Sequence, residues 1–170
     1  MENLEFKKIL FKTAFCVMAC DGHIDDLEIE EMKKIDINTA YFNKVDLSDE
    51  LSQLIEEVKT KGKIIVLELF QTLRTTKLTI VQELLIIEVA FRIINADNKV
   101  DENEIKFLNL LRSKLDVENE TLRDRFGNIP YLSNMNYAKI NLIDSQNNFI
   151  ENIKLPDMIS LTNIDLEETK

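Results

Sequence analysis

Along most of the chain before Asn128, apolar residues return every three or four positions, the spacing that lays one stripe down a helix. Phe6, Ile9, Leu10, Phe11, Phe15 and Val17 predict a first helix from Glu2 to about Cys20. Asp25 or Asp26 begins a second, running to about Ile35, and a looser patch follows from Asp36 through Phe42 and Asn43. Ser48 reads as the capped start of a third, carried by Leu51, Leu54, Ile55 and Val58 and broken at Gly62. Ile64 to about Thr75 predicts a fourth. Thr79 caps a fifth from Ile80 to about Ala96, and Glu102 opens a sixth reaching Leu115. A short helix from about Glu118 to Phe126 stops at Gly127, a residue suited to the position just beyond a helix end.

From Asn128 the pattern changes. Asn becomes frequent, Pro130 and Pro156 appear, and helical periodicity fades. Tyr137 to Ile143 and Phe149 to Leu155 are apolar-rich runs separated by a short polar stretch, the signal of a β-hairpin. The expected organisation is an all-α domain over residues 1–127, built as two pseudo-symmetric helical halves, followed by an irregular extension over 128–170. That extension is expected to pack through Phe149, Ile150, Ile153 and Leu155, on its own body or on a second copy as a homodimer.

The two halves are visible as a repeat, spanning about 11–36 and 87–112. Ala14 to Ile29 aligns without a gap on Ala90 to Ile105, at a constant offset of 76 residues. Ala14/Ala90, Phe15/Phe91, Asp21/Asp97, Asp25/Asp101, Glu28/Glu104 and Ile29/Ile105 are identical. Composition alone accounts for about one or two matches in such a stretch, so an internal duplication is the economical explanation. The shared pattern is Asp-(Gly/Asn)-x-(Ile/Val)-Asp-(Asp/Glu)-x-Glu. Gly22 and Asn98, which share a slot, best tolerate positive φ. Each copy therefore reads as a helix end, a left-handed turn, and the start of the next helix.

Asp25 and Asp101 fall at helix N-caps, with Glu28 and Glu104 three residues on, which is a capping-box arrangement in both copies. Asp21 and Asp97 are harder to place, because each sits at a helix C-terminus, where exposed carbonyls disfavour a carboxylate. A bound cation resolves this, since carboxylate and carbonyl oxygens are hard ligands suited to Ca²⁺ or Mg²⁺. The alternative is an aspartate accepting from the amides of its own turn, which needs no metal. Neither copy is an EF-hand, because the two earlier ligand slots hold Val17 and Ala19, or Ile93 and Asn95. If the turns lie side by side, the acids of both copies converge: Asp21, Asp25 and Glu28 with Asp97, Asp101 and Glu104.

Charge sharpens the choice of partner. With 31 acidic and 21 basic residues the formal net charge is −10, which sets a phosphate backbone or an anionic membrane surface against this chain and leaves cations and basic protein surfaces. No run approaches a membrane-spanning length and the opening residues alternate acid and base, so neither membrane insertion nor a secretory signal is expected, and a cytoplasmic location is. Cys16 and Cys20 are expected as reduced, buried thiols. With His23 they are close in sequence, but Arg92, Ala96 and Lys99 occupy the matching positions, so a zinc or redox site lacks the duplication the acids show. The charges of Glu28, Glu30, Glu31, Lys33 and Lys34 read as a solvated helix face. A single histidine and the absence of a nucleophile or phosphate-loop motif argue against catalysis. Acids on exposed turns also lack the apolar surroundings that raise a carboxyl pKa.

Two helices ending in Asp-Gly-x-(Ile/Val)-Asp-x-x-Glu or its near copy, separated by intervening helices, resemble the tellurite-resistance TerB family over about Phe11 to Leu115. The resemblance implies an all-α fold of two pseudo-symmetric halves and a role in a stress or tellurite-resistance system. It also implies an acidic, metal-binding site at Asp21, Asp25, Glu28, Asp97, Asp101 and Glu104. Two functional readings stand. One is a non-catalytic acidic module binding a divalent cation and meeting a protein partner. The other is a purely structural interaction domain whose acids are caps and whose tail mediates self-association.

Overall fold

Several of the breaks between helices have a local chemical cause. In the computed structural model, which describes residues 3–132 and 142–166, the N-terminal domain folds as α1 (Asn3–Ala19), α2 (Asp26–Asn38), α3 (Leu47–Lys61), α4 (Ile64–Thr75), α5 (Ile80–Ile94), α6 (Glu102–Ser113) and α7 (Asn119–Phe126). Thr79 opens α5 with a closed capping box: its hydroxyl accepts from the Gln82 amide at 3.1 Å while Gln82 Oε1 accepts from the Thr79 amide at 2.9 Å. α3 and α7 stop at Gly62 and Gly127.

Two boundaries differ from the sequence reading. α3 begins at Leu47, capped by Asp46, whose Oδ1 accepts from the Asp49 amide at 3.1 Å; Ser48 lies inside the helix. α2 continues to Asn38, past the expected stop at Ile35, where Thr39 turns the chain out by donating its hydroxyl to the Ile35 carbonyl at 2.6 Å. The stripe fades early there because Ile37 faces solvent.

The halves join along α1 and α5. These helices pack chiefly against each other, with the equivalent Ala14 and Ala90 both fully buried at small-residue positions where the backbones can approach closely. α6 and α2 lean on α5, and Arg92 of α5 donates to Glu31 of α2 at 2.8 Å, tying one repeat to the other. Phe70 and Phe107 meet at 5.5 Å between ring centroids, and Phe11 meets Phe42 edge-on at 5.9 Å. Buried Glu83 accepts from the amides of Asp116 and Val117 at 2.7 and 2.9 Å, fixing the chain as it leaves α6.

The extension departs from expectation. Its described part is helical: α8 (Leu142–Asn152) and α9 (Met158–Thr162), with no strand among the described residues. Of the hairpin's first run, Tyr137 to Ile143, residues 137–141 lie outside those described, and Leu142 and Ile143 open α8; the second run, Phe149 to Leu155, begins in the same helix. Phe149 in this helix and Ile153 just past its end are both buried, and the Ile153 amide donates to the Phe149 carbonyl at 3.0 Å, a helical rather than a ladder bond. α8 packs on α6, with Phe149 at 6.2 Å from Phe107, and α9 packs on α3 through buried Leu161. Ile150 and Leu155 are partly buried against the same core. No described helix is long and apolar enough to cross a membrane.

Candidate functional site

The two repeated turns follow α1 and α5. Gly22 has φ of +82° and Asn98 φ of +60°, the left-handed geometry their shared slot predicts. Asp21 Oδ1 accepts from the His23 amide at 2.9 Å, and Asp97 Oδ1 accepts from the Lys99 amide at 2.9 Å. The amide-bonded alternative thus accounts for one oxygen of each aspartate. One step on, Asp25 and Asp101 cap α2 and α6, each Oδ1 accepting at 2.7 Å from the amide two residues later, Leu27 or Asn103.

At the glutamates the copies part. Glu104 closes its capping box, with Oε1 accepting from the Asp101 amide at 3.0 Å. Glu28 does not close the same box. Its side chain is turned inward, 3% exposed, and its Oε2 is buried without a hydrogen-bond partner. Glu28 is therefore no part of a solvated face, and the expectation that these acids lack apolar surroundings is overturned for both glutamates, since Glu104 is as deeply buried. The sequence could not reveal this because Asp-x-x-Glu is compatible with either orientation.

The electrostatics locate the turns relative to each other. Burial, followed by the charges of Glu104, Asp21, Asp97 and Asp25, pushes Glu28 up to about 9. Burial also raises Glu104, to about 7; the Asp101 amide opposes the shift while Asp21, Asp97 and Asp101 add to it. Asp21 is raised by burial against the pull of the His23 amide, with Asp101 adding to the rise. Acids of one repeat act on acids of the other, so the two turns share one end of the molecule. Six carboxyl groups are gathered there: Asp21, Asp25, Glu28, Asp97, Asp101 and Glu104. As placed, no group of three or more His, Cys, Asp or Glu among the described residues is spaced to hold a metal ion. The orphaned Glu28 oxygen and the all-oxygen donor set do suit a hard divalent cation in chemistry, provided the carboxylates draw together around it.

The thiols are not part of that donor set. Cys16 and Cys20 are buried; Cys20 donates to the Val17 carbonyl at 3.2 Å, and burial raises Cys16 to about 12 and Cys20 upward. His23 is exposed.

Two residues of the extension also reach the turns, and neither stands out in the sequence. A Cβ at Gly22 would lie 2.8 Å from the Lys154 carbonyl oxygen, so the segment after α8 rests directly on the first turn. The only hint was the glycine where the second copy has Asn98. Tyr131 lies beyond α7, with its hydroxyl accepting from Asn95 Nδ2 at 3.1 Å and its carbonyl from Asn109 Nδ2 at 3.0 Å; Glu104 is near enough to act on its hydroxyl.

Among known protein families, the model described as Tellurite resistance protein TerB matches residues 10–125, about two thirds of the chain and both repeats. No curated protein and no solved structure matches.

Proposed function

The chain belongs to the TerB family, and from that premise we propose that it is a non-catalytic acidic module of a stress or tellurite-resistance type system. It binds one divalent cation, Ca²⁺ or Mg²⁺, between the turns at Asp21–Glu28 and Asp97–Glu104, and presents its acidic surface to a basic protein partner. The observation that carries this reading is Glu28 Oε2: a carboxyl oxygen buried without a partner and within reach of the charges of neighbouring acids is a costly arrangement, which a cation relieves by taking the place of the carboxyl proton. Aspartates at the negative poles of two neighbouring helices add to the same need. The non-catalytic part rests on the placement of the reactive groups: the histidine faces solvent, and burial holds both thiols protonated.

Titration calorimetry with Ca²⁺ and Mg²⁺ tests the reading. Wild type is expected to bind at or below concentrations on the order of millimolar, and Asp21→Ala and Asp97→Ala each to weaken binding with helical circular dichroism unchanged. A flat wild-type titration would leave the acids as helix caps in a purely structural interaction domain.

A further inference from the structure

Residues after Phe126 lie outside the matched family segment, yet they touch the acidic end of the molecule twice. Tyr131 is held by Asn95, two residues before Asp97, and by Asn109 on α6, with Glu104 near its hydroxyl. Further on, the Lys154 carbonyl oxygen sits where a side chain at residue 22 would begin. Either side of Lys154, Ile153 is fully buried and Pro156 is buried, and Lys63 donates to the Glu151 carbonyl at 2.9 Å. The segment is thus anchored on both sides of its contact with Gly22.

That contact has an electrostatic sign. A carbonyl oxygen is the negative end of a dipole, and here it is brought to the turn that carries Asp21 and Asp25. In the metal-free protein this disfavours docking of the segment. A cation among the carboxylates reverses the sign, because the carbonyl oxygen then lies beside a turn of net positive charge. We infer that residues 153–156 form a positioning strap for the acidic site, seated in the notch that Gly22 provides, and that strap docking and divalent-cation binding strengthen each other. The inference rests on the cation reading above and adds that the site is set by a segment the family match does not include. Coupling of this kind is reciprocal: whatever the docked strap adds to cation affinity, the cation adds to docking.

Gly22→Asn isolates the notch. Asparagine accepts the left-handed backbone, as Asn98 shows at the equivalent position, but its Cβ would strike the Lys154 carbonyl. Asn98→Gly is the matched control, and Ile153→Ala loosens the strap without altering the turn. The measurements are Ca²⁺ calorimetry and amide hydrogen exchange over residues 149–166, with and without Ca²⁺. Expected results are slower exchange in wild type on adding Ca²⁺, and faster metal-free exchange in Gly22→Asn and Ile153→Ala. Both variants should bind Ca²⁺ about tenfold more weakly, a typical coupling, while Asn98→Gly matches wild type. If wild type binds Ca²⁺ and both strap variants bind it equally well, the strap inference is overturned and the cation reading survives. If wild type takes up no Ca²⁺, both fall together.

Discussion

The first acidic turn, Asp21 to Glu28, and the second, Asp97 to Glu104, share three of their eight letters and much of their local hydrogen bonding, but they have different neighbours. Both helix-end aspartates accept from the amide two residues on, and both cap aspartates do the same. The second turn then closes its capping box, with Asn98 exposed. The first leaves Glu28 Oε2 without a partner and carries the extension on Gly22. Short-range chemistry was duplicated with the sequence. Burial and contact, which determine how readily a carboxyl ionises, come from parts of the chain that were not duplicated.

The sharpest break of this near-symmetry lies behind the turns. Phe15 is fully buried, whereas its equivalent Phe91 is only half-buried, with Phe126 and Tyr131 at 6.3 Å between ring centroids. Phe15→Ala is expected to cost about 3–5 kcal/mol and Phe91→Ala clearly less, read from chemical denaturation midpoints. Equal losses would mean that the halves are packed alike.

A smaller effect distinguishes the turns themselves. Gly22→Ala meets the left-handed cost of about 1–2 kcal/mol and also displaces the Lys154 carbonyl, whereas Asn98→Ala meets only the first. The expected order of thermal stability is wild type, then Asn98→Ala, then Gly22→Ala, and the reverse order of the two variants would show that the extension does not rest on Gly22.

The last comparison is in pH dependence. Glu28 is raised from 4.5 to about 9 on folding, so folding takes up a proton. The stability this group contributes is full below about 4.5 and is lost as pH rises towards about 9. Glu104 acts in the same direction, up to about 7. The wild-type melting midpoint is expected to fall across this window, at about 2–4 °C for each kcal/mol in a chain of this size, and Glu28→Gln to flatten the slope. An unchanged slope in that variant would place the Glu28 carboxyl in water.

Much of the architecture was legible because its determinants are local. The Thr79–Gln82 capping box, the caps at Asp25 and Asp101, and the left-handed slots at Gly22 and Asn98 are each written within a few residues. What was illegible depends on distant packing. Phe149 and Ile153 could have belonged to a strand or a helix until α6 supplied a surface at helical spacing. Glu28 could have turned either way on α2, and Ile37 hid the true end of that helix by facing out. The six acids were nameable from the repeat alone, whereas their shared location and the approach of Lys154 follow from the docking of α1 on α5 and of the extension on α6, on α3 and on the first turn.

Cys16 on α1 and Cys20 just past its end are both buried, near the helix pair that unites the halves. As thiols kept protonated by burial, they offer no nucleophile to oxidants or alkylating reagents while the fold is closed. Their chemistry therefore keeps time for the protein: with a thiol reagent concentrated enough to outpace reclosing, the rate of labelling is the rate at which its centre comes open.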